Sequence, residues 1–164
     1  MLSFKIGPKI NPKFGFRQTD TQAGLLYRLF LSNVHPFFIV IGDKRKYLSC
    51  LITLKCKVDE KSGIPTNELE EKAVKWCDAN APGSNVVTIE DFKRKKLLQK
   101  AIQKGLENAN LKATANPCKV QKFTVLPQEL SVQGGELGPT LKLKRHFIMD
   151  KYQDLIDEMY TFNQ

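Results

Sequence analysis

Two apolar runs separated by a short polar segment constrain the fold of this chain most strongly. The first, FFIVI at residues 37–41, is continuous, and the second, YLSCLITLKC at residues 47–56, is rich in apolar and β-branched side chains. The segment GDKRK between them is polar and contains a glycine, which is typical of a β-hairpin connection. The pattern therefore predicts two antiparallel strands.

Two capping signals predict helices after a loop at residues 57–66. Asn67 followed by Glu70 predicts a helix that runs to about Asn80. Its inner face would carry Leu69, Ala73, Trp76 and Cys77. Thr88 followed by Asp91 predicts a second helix that runs to about Ala113. Its apolar stripe would consist of Leu97, Leu98, Ala101, Ile102 and Leu106.

The remaining segments complete an α+β pattern. VQKFTVL at residues 120–126 alternates apolar and polar residues, which predicts a strand. Residues 128–139 are predicted to form a loop, and residues 140–144 are predicted to form a short strand. From Arg145 an amphipathic helix is predicted, with a core-facing stripe of Ile148, Tyr152, Leu155, Ile156, Met159 and Tyr160. The order of elements predicts an α+β fold: a small, mainly antiparallel sheet with helices packed on it.

The chain divides into a leader at residues 1–36 and a folded domain at residues 37–164. Residues 1–22 combine prolines, glycines and cations, which predicts an irregular tail. Residues 21–34 form a short apolar helix pattern that ends before Pro36. This patch either packs or disorders, or it lies on a membrane surface.

The positive charge is concentrated near the N-terminus. The 164 residues hold 26 basic and 17 acidic side chains, a net charge of +9, and residues 1–46 alone account for +6 of it. The nearly balanced body, and the lack of aromatic residues among the basic segments, argue against nucleic-acid binding. The basic run at residues 93–96 predicts a solvated helix face, with nuclear targeting or an anionic partner as the alternatives.

The cysteines and histidines further limit the kinds of site that the chain can form. The four cysteines form no CxxC pair, and the chain has two histidines, so no zinc site is predicted and His35 and His146 are interpreted as packing or surface residues. No apolar run is long enough to span a membrane, and no signal-peptide pattern begins the chain. We expect a cytoplasmic protein with four free, buried thiols.

The segment GGELGPTLKLKRHF, at residues 134–147, is the most informative for chemistry. Period-two alternation would place Thr140, Lys142 and Lys144 on one strand face and Leu141 and Leu143 on the other. Two neighbouring lysines on one face are tolerated where the face is wet or where it meets an anion. The segment is therefore either an ordinary solvated face or an anion site in which ammonium groups contact phosphate oxygens.

These residues also carry a resemblance to a known family. GGELGPTLKLKRHF followed by KYQDLIDEMY is similar to the C-terminal end of long-chain acyl-CoA synthetases, and within them to the bubblegum type. The segments IGDKRKYLSCLITLKC (41–56) and KAIQKGLENAN (100–110) resemble the same type. The likeness covers about residues 37–162.

The resemblance implies an activity and a place in a larger enzyme. Ligases of this adenylate-forming superfamily activate a fatty acid with Mg-ATP to an acyl-adenylate and then transfer the acyl group to coenzyme A. They consist of a large N-terminal domain and a small C-terminal α+β lid, which swings between two poses for the two steps. ATP, Mg²⁺ and CoA are thus the implied cofactors, and none is expected to bind tightly to this chain alone. The large domain is the implied partner, and peripheral contact with a membrane is a further alternative.

The resemblance also implies which residues act. The motif position of the lid's catalytic lysine falls on Lys142, with Lys144 as the competitor, because Leu141 stands where much of the superfamily has glycine. Thr140, Lys144 and Arg145 are the implied cofactor-binding residues, although Arg145 at a helix start either contacts phosphates or forms an ordinary salt bridge. A positioned ammonium would stabilise the charge that develops when a carboxylate attacks the α-phosphate.

The phosphate loop of the large domain is not recognisable in this sequence. We therefore expect that the isolated chain does not make acyl-CoA and corresponds to the lid of a long-chain fatty acid–CoA ligase. The alternative is a non-catalytic module that binds an acidic partner or a membrane surface through its basic face.

Overall fold

The computed structural model describes residues 37–113 and 115–161. The predicted leader at residues 1–36, which includes His35 and the apolar patch, lies outside the described residues. Within them the strands are β1 (Phe38–Ile41), β2 (Leu48–Ile52), β3 (Cys56–Val58), β4 (Pro65–Leu69) and β5 (Val120–Val125). The helices are α1 (Glu71–Asn80), α2 (Ile89–Arg94), α3 (Lys96–Asn110), α4 (Arg145–Lys151) and α5 (Gln153–Thr161), with a single 3₁₀ turn at Asn116–Cys118.

The predicted hairpin of β1 and β2 is confirmed. The two strands pair antiparallel, with Phe38 opposite Ile52 and Ile41 opposite Ser49. β5 then joins the free side of β2 in parallel, and β3 and β4 form a separate antiparallel pair. The predicted α+β class is confirmed. The three-stranded sheet is mixed, because the chain passes through the helices α1, α2 and α3 before β5 pairs with β2 in parallel.

The helix predicted from Asn67 is wrong at its start. Residues 65–69 form β4 instead, since Leu69 pairs with Cys56 and its N–H bonds to the carbonyl oxygen of Val87. These non-local hydrogen bonds override the local Asn67–Glu70 signal, and α1 begins at Glu71 without a side-chain cap. The predicted loop at residues 57–66 accordingly contains parts of β3 and β4.

The predicted cap at Thr88 is confirmed. Thr88 Oγ1 accepts a hydrogen bond from the Asp91 N–H at 3.1 Å, and the Asp91 carboxylate accepts one from the Thr88 N–H. The single long helix predicted from this cap is divided, because Lys95 adopts an extended backbone (φ −90°, ψ 100°) between α2 and α3. The break turns Leu97 towards solvent, while Leu98 is fully buried.

The sheet lies between two apolar layers. Cys50 and Ile52 pack with α1, α2 and α3 on one face, and Leu51 between them packs on the opposite face with α4 and α5. The second layer contains the predicted stripe residues Ile148, Tyr152, Ile156 and Met159, together with Leu126, Leu130 and Leu137 from the connecting segment. The core of the second layer therefore holds the segment that precedes the candidate lysine.

Two further sequence expectations concern membranes and thiols. No helix in the described part of the chain combines the length and apolar character that are needed to cross a membrane. All four cysteines are buried, as predicted. Burial raises the pKa of the Cys56 and Cys77 thiols to about 12.

Candidate functional site

The candidate lysine lies in a tight hairpin formed by residues 136–144, here called the lysine hairpin. Leu137 and Leu143 form a single antiparallel bridge. Beyond the bridge, the Gly138 N–H bonds to the Lys142 carbonyl oxygen and the Leu141 N–H bonds to the Gly138 carbonyl oxygen, both at 2.8 Å. At the open end, the Lys144 N–H bonds to the Glu136 carbonyl oxygen at 2.8 Å. These three backbone hydrogen bonds close a compact loop around Pro139 and Thr140.

Leu141 adopts a left-handed backbone conformation, with φ 58°. Hairpin loops of this length use a residue with positive φ to return the chain to its partner strand, and glycine is the usual choice. A leucine is sterically strained in the left-handed region, because its Cβ comes close to the carbonyl oxygen that follows. The backbone therefore explains why a glycine is favourable immediately before the lysine and what the leucine at that place costs.

The predicted two-faced strand at residues 140–144 is wrong. A strand needs extended backbone, and the positive φ of Leu141 bends the chain at the centre of the segment. Thr140, Lys142 and Lys144 are all exposed, but Leu141 and Leu143 are exposed as well, at 51% and 41%. The loop thus brings the predicted cations to the surface without the apolar face that the alternation predicted.

The Lys142 ammonium extends into solvent from the loop. Among the residues that the structure describes, none forms an ion pair or side-chain hydrogen bond with Lys142. Lys144 differs in its setting, because its N–H is held by Glu136 and it is the residue that precedes α4. An exposed and uncompensated ammonium at the tip of a constrained loop is suited to an incoming anion, and phosphate oxygens match a point charge of this kind.

A buried carboxylate, Glu136, forms the base of the lysine hairpin. The side chain of Glu136 is fully buried and forms an ion pair with Lys151 of α4. Its carboxylate also accepts hydrogen bonds from the Ser131 N–H at 3.3 Å and from the Tyr152 hydroxyl at 3.4 Å. Burial alone would raise the pKa of Glu136, but the Lys151 hydrogen bond, backbone N–H groups and the Lys151 charge hold it below its usual value.

The two glycines before Glu136 are required by close packing. A Cβ on Gly134 would lie 2.3 Å from Glu136 Oε2, and Gly135 has φ 87° with the Phe147 ring against it. Both glycines lie in the segment at residues 134–147 that the sequence marked as informative, but Glu136 was not predicted as a site residue. A lone carboxylate between a glycine pair and a buried leucine, Leu137, is the signal that identifies it.

Arg145 has an internal role in the structure. Its guanidinium donates a hydrogen bond to the Val40 carbonyl oxygen at the end of β1. Burial lowers the pKa of Arg145, and the nearby Asp43 carboxylate acts in the opposite direction. Phosphates and a salt bridge stay the two implied alternatives for Arg145, since the Val40 contact uses one guanidinium nitrogen and the Asp43 charge also acts on the group. Thr140 and Lys144 remain exposed near Lys142.

The other singled-out residues lie away from the lysine hairpin. The basic run at residues 93–96 spans the junction of α2 and α3, where Arg94, Lys95 and Lys96 line an open depression beside residues 81–84. His146 is exposed. Trp76 packs against the first apolar layer and lies near the Phe92 ring. Within the described residues, no group of three or more His, Cys, Asp or Glu side chains is placed to hold a metal ion.

Comparison with solved structures identifies the fold. The chain aligns with the adenylation domain of a carboxylate reductase from Mycobacterium chelonae, with a TM-score of 0.52 and 19% identity, over 84% of this chain and 17% of that one. It also aligns with the adenylation and carrier didomain of a carboxylic acid reductase from Segniliparus rugosus, solved with AMP, with a TM-score of 0.51 and 13% identity, over 85% of this chain and 16% of that one.

Comparison with curated proteins is more specific. The long-chain-fatty-acid–CoA ligase ACSBG1 of Bos taurus is 42% identical over 124 residues, which cover 74% of this chain and 17% of the ligase. The ligase ACSBG2 of Homo sapiens is 40% identical over 122 residues, or 74% of this chain and 18% of the ligase. The chain thus spans about one sixth of the length of these relatives. No family model matches the chain.

The structural comparisons define the class of fold: the described part of the chain is an α+β unit that matches part of these adenylation domains. Within that class, the chain is homologous to part of the bubblegum-type long-chain fatty acid–CoA ligases, and the predicted resemblance is confirmed.

Proposed function

We propose that residues 37–164 act as the C-terminal lid of a long-chain fatty acid–CoA ligase, and that Lys142 is the lysine of the adenylation step. The observation that carries this proposal is the exposed Lys142 ammonium at the tip of the lysine hairpin, in a chain homologous to part of these ligases. The acyl and nucleotide sites belong to the remainder of the ligase. On its own, the 164-residue chain is expected to form no acyl-CoA.

The chemistry follows from the charges of the reactants. Attack of a fatty-acid carboxylate on the α-phosphate of ATP brings two anions together, and negative charge develops on the phosphoryl oxygens. A fixed ammonium stabilises this charge, and removal of one such electrostatic group costs about 100- to 1,000-fold in rate. Lys142 would contact phosphoryl oxygens, with Thr140 and Lys144 near enough in the chain to contact other phosphates. The AMP complex of the Segniliparus rugosus didomain supports a nucleotide as the ligand of this class.

The described residues fit phosphate groups better than they fit the magnesium ion. The lysine hairpin offers exposed ammonium groups, whereas no cluster of carboxylates or imidazoles that could hold a metal occurs in the described part of the chain. Magnesium would therefore be held by the nucleotide and by the large domain. The partners that we propose are that domain, a long-chain fatty acid and CoA, in a cytoplasmic or peripheral membrane setting.

A chimaera tests the proposal directly. The segment of bovine ACSBG1 that matches this chain is replaced with the full 164-residue chain, and ATP-dependent formation of acyl-adenylate and acyl-CoA is measured. We expect activity, a loss of about 100-fold or more in adenylation for Lys142→Ala, and a smaller loss for the matched control Lys144→Ala. An inactive chimaera, or a Lys142→Ala chimaera as active as the parent, contradicts the proposal. Turnover by the purified chain alone, above its Lys142→Ala variant, would overturn the expectation that it needs the large domain.

The alternative function is a non-catalytic module that binds acidic partners through its basic face. The depression lined by Arg94, Lys95 and Lys96 is the feature that favours it. Titration of the purified chain with anionic and neutral lipid vesicles separates the two functions. Binding that disappears when these three cations are replaced with glutamine, together with an inactive chimaera, would support the alternative.

A further inference from the structure

We propose that Glu136 is a positioning residue, which fixes the lysine hairpin against α4 and thereby sets the place at which Lys142 presents its ammonium. This inference rests on the function proposed above for Lys142. Glu136 itself is fully buried. It cannot contact a substrate in this structure, so any effect that it has on the reaction must act through the hairpin.

Glu136 holds both sides of the base of the hairpin. Its backbone carbonyl oxygen accepts the Lys144 N–H on the returning side. Its carboxylate accepts the Ser131 N–H, and the Ser131 carbonyl oxygen accepts the Leu137 N–H on the outgoing side. One residue thus connects the two arms of the hairpin to the preceding turn.

The carboxylate also connects the hairpin to the helical layer. Lys151 of α4 provides the opposite charge, the Tyr152 hydroxyl lies at 3.4 Å, and the Gln128 amide approaches from the preceding loop at 3.4 Å. A Cβ on Gly134 would lie 2.3 Å from Oε2, so the glycine provides the space that the carboxylate occupies. A buried charge with several donors is costly to move, which makes this a rigid anchor.

The tip of the hairpin depends on this anchor. Leu141 and Leu143 are half exposed, and the tip is closed by its own backbone hydrogen bonds. In the described part of the chain no ion pair restrains Lys142. The position of Lys142 is therefore determined by the base of the hairpin. A displacement of about 1 Å at a reacting group can lower the rate about 100-fold.

The first experiment compares Glu136→Gln with Glu129→Gln in the full chain by amide hydrogen exchange. Glu129 is a matched control because it is also a buried carboxylate, paired with Lys55 at 2.9 Å, but it holds the Cys56 N–H of β3 instead of the hairpin. Exchange is read at the amides of Gly138, Leu141 and Lys144 and, as an internal reference for global stability, at the amides of β2. Lys151→Gln serves as a second variant that weakens the same anchor if Glu136→Gln does not fold.

The expected result is selective loss of protection. Relative to β2, the three hairpin amides should exchange at least about 10-fold faster in Glu136→Gln and in Lys151→Gln, and at the parental ratio in Glu129→Gln. If Glu136→Gln and Lys151→Gln both showed the parental ratio, the proposal would be overturned, because the hairpin would then keep its place without the anchor.

The second experiment measures adenylation by the chimaera described above. Glu136→Gln should lower kcat by about 10- to 100-fold with little change in the KM for ATP, and Glu129→Gln should leave kcat unchanged. If Lys142→Ala is inactive while Glu136→Gln keeps the parental kcat, the positioning role is wrong and the proposed function stands. If Lys142→Ala keeps the parental rate, the proposed function is wrong, and the exchange experiment still decides whether Glu136 fixes the hairpin.

Discussion

The Gly138 N–H donates a hydrogen bond to the Lys142 carbonyl oxygen at 2.8 Å, so the residue that carries the candidate ammonium also closes the loop. The same backbone hydrogen bond therefore closes the loop and helps to fix the position of Lys142. Leu141, between the turn and the lysine, provides the left-handed conformation that this closure needs.

Replacing Leu141 with glycine should stabilise the chain. The left-handed conformation costs a side chain about 1–2 kcal/mol, whereas glycine loses about 0.5–1 kcal/mol through the greater freedom of the unfolded chain. The net gain in the free energy of unfolding should be about 0.5 kcal/mol, measured by urea denaturation. Leu143→Gly is the matched control, since Leu143 is exposed to a similar degree without a positive φ, and it should destabilise. A loss of stability for Leu141→Gly equal to that for Leu143→Gly would contradict the strain at Leu141.

Removal of the two predicted capping residues should change the free energy of unfolding by unequal amounts. Thr88→Ala removes the acceptor for the Asp91 N–H and should lower the free energy of unfolding by about 1 kcal/mol. Asn67→Ala changes an exposed residue of β4 and should stay within about 0.5 kcal/mol of the parent. Urea denaturation of both variants measures the difference. A loss at Asn67 as large as that at Thr88 would indicate that Asn67 does cap a helix in solution.

Truncation of the two adjacent leucines of α3 should lower the free energy of unfolding by very different amounts. Leu98 is fully buried in the first apolar layer, and Leu98→Ala should cost about 2–5 kcal/mol. Leu97 is 61% exposed, and Leu97→Ala should cost less than about 0.5 kcal/mol. Thermal or urea unfolding of the two variants tests the break at Lys95, since an uninterrupted helix with both leucines on its stripe would make both truncations costly.

Local sequence signals predicted the elements whose determinants are local. The β1–β2 hairpin, the Thr88 cap and the apolar stripe from Ile148 to Tyr160 depend on nearby parts of the chain, and the structure confirms them. The single helix predicted from Arg145 is divided at Tyr152 into α4 and α5. The start of α1 was predicted incorrectly, because β4 is stabilised by pairing with β3 and by the carbonyl oxygen of Val87, which local propensity does not reveal.

The candidate site was predictable in part, for the same reason. Thr140, Lys142 and Lys144 could be selected from their spacing and from the family resemblance, and the structure places all three exposed at or beside the turn. The left-handed backbone of Leu141 and the burial of Glu136 arise from the closure of the hairpin on α4. Both features require the tertiary structure.

The stability of the chain should depend on pH through Glu136. Its pKa in the folded protein is lowered from the ordinary value of 4.5 because the Lys151 hydrogen bond, backbone N–H groups and the Lys151 charge outweigh the effect of burial. A carboxyl group whose pKa falls on folding stabilises the protein fully above its unfolded pKa, and this contribution is lost as the pH drops through the folded pKa. The free energy of unfolding should therefore fall more steeply below about pH 4.5 in the parent than in Glu136→Gln.

The difference between the two pH profiles isolates Glu136 from the other acidic residues, which titrate in both proteins. Urea denaturation at intervals from about pH 3 to pH 7 gives both curves. Glu71→Gln is the control, because Lys75 also lowers the pKa of the Glu71 carboxyl but this exposed pair is screened by solvent. The gap between the parent and Glu136→Gln should be widest at neutral pH and should narrow towards pH 3, whereas Glu71→Gln should follow the parent closely. A constant gap across this range would mean that the Glu136 side chain stabilises the fold by its shape and not by its charge, in which case the ion pair with Lys151 does not anchor the hairpin.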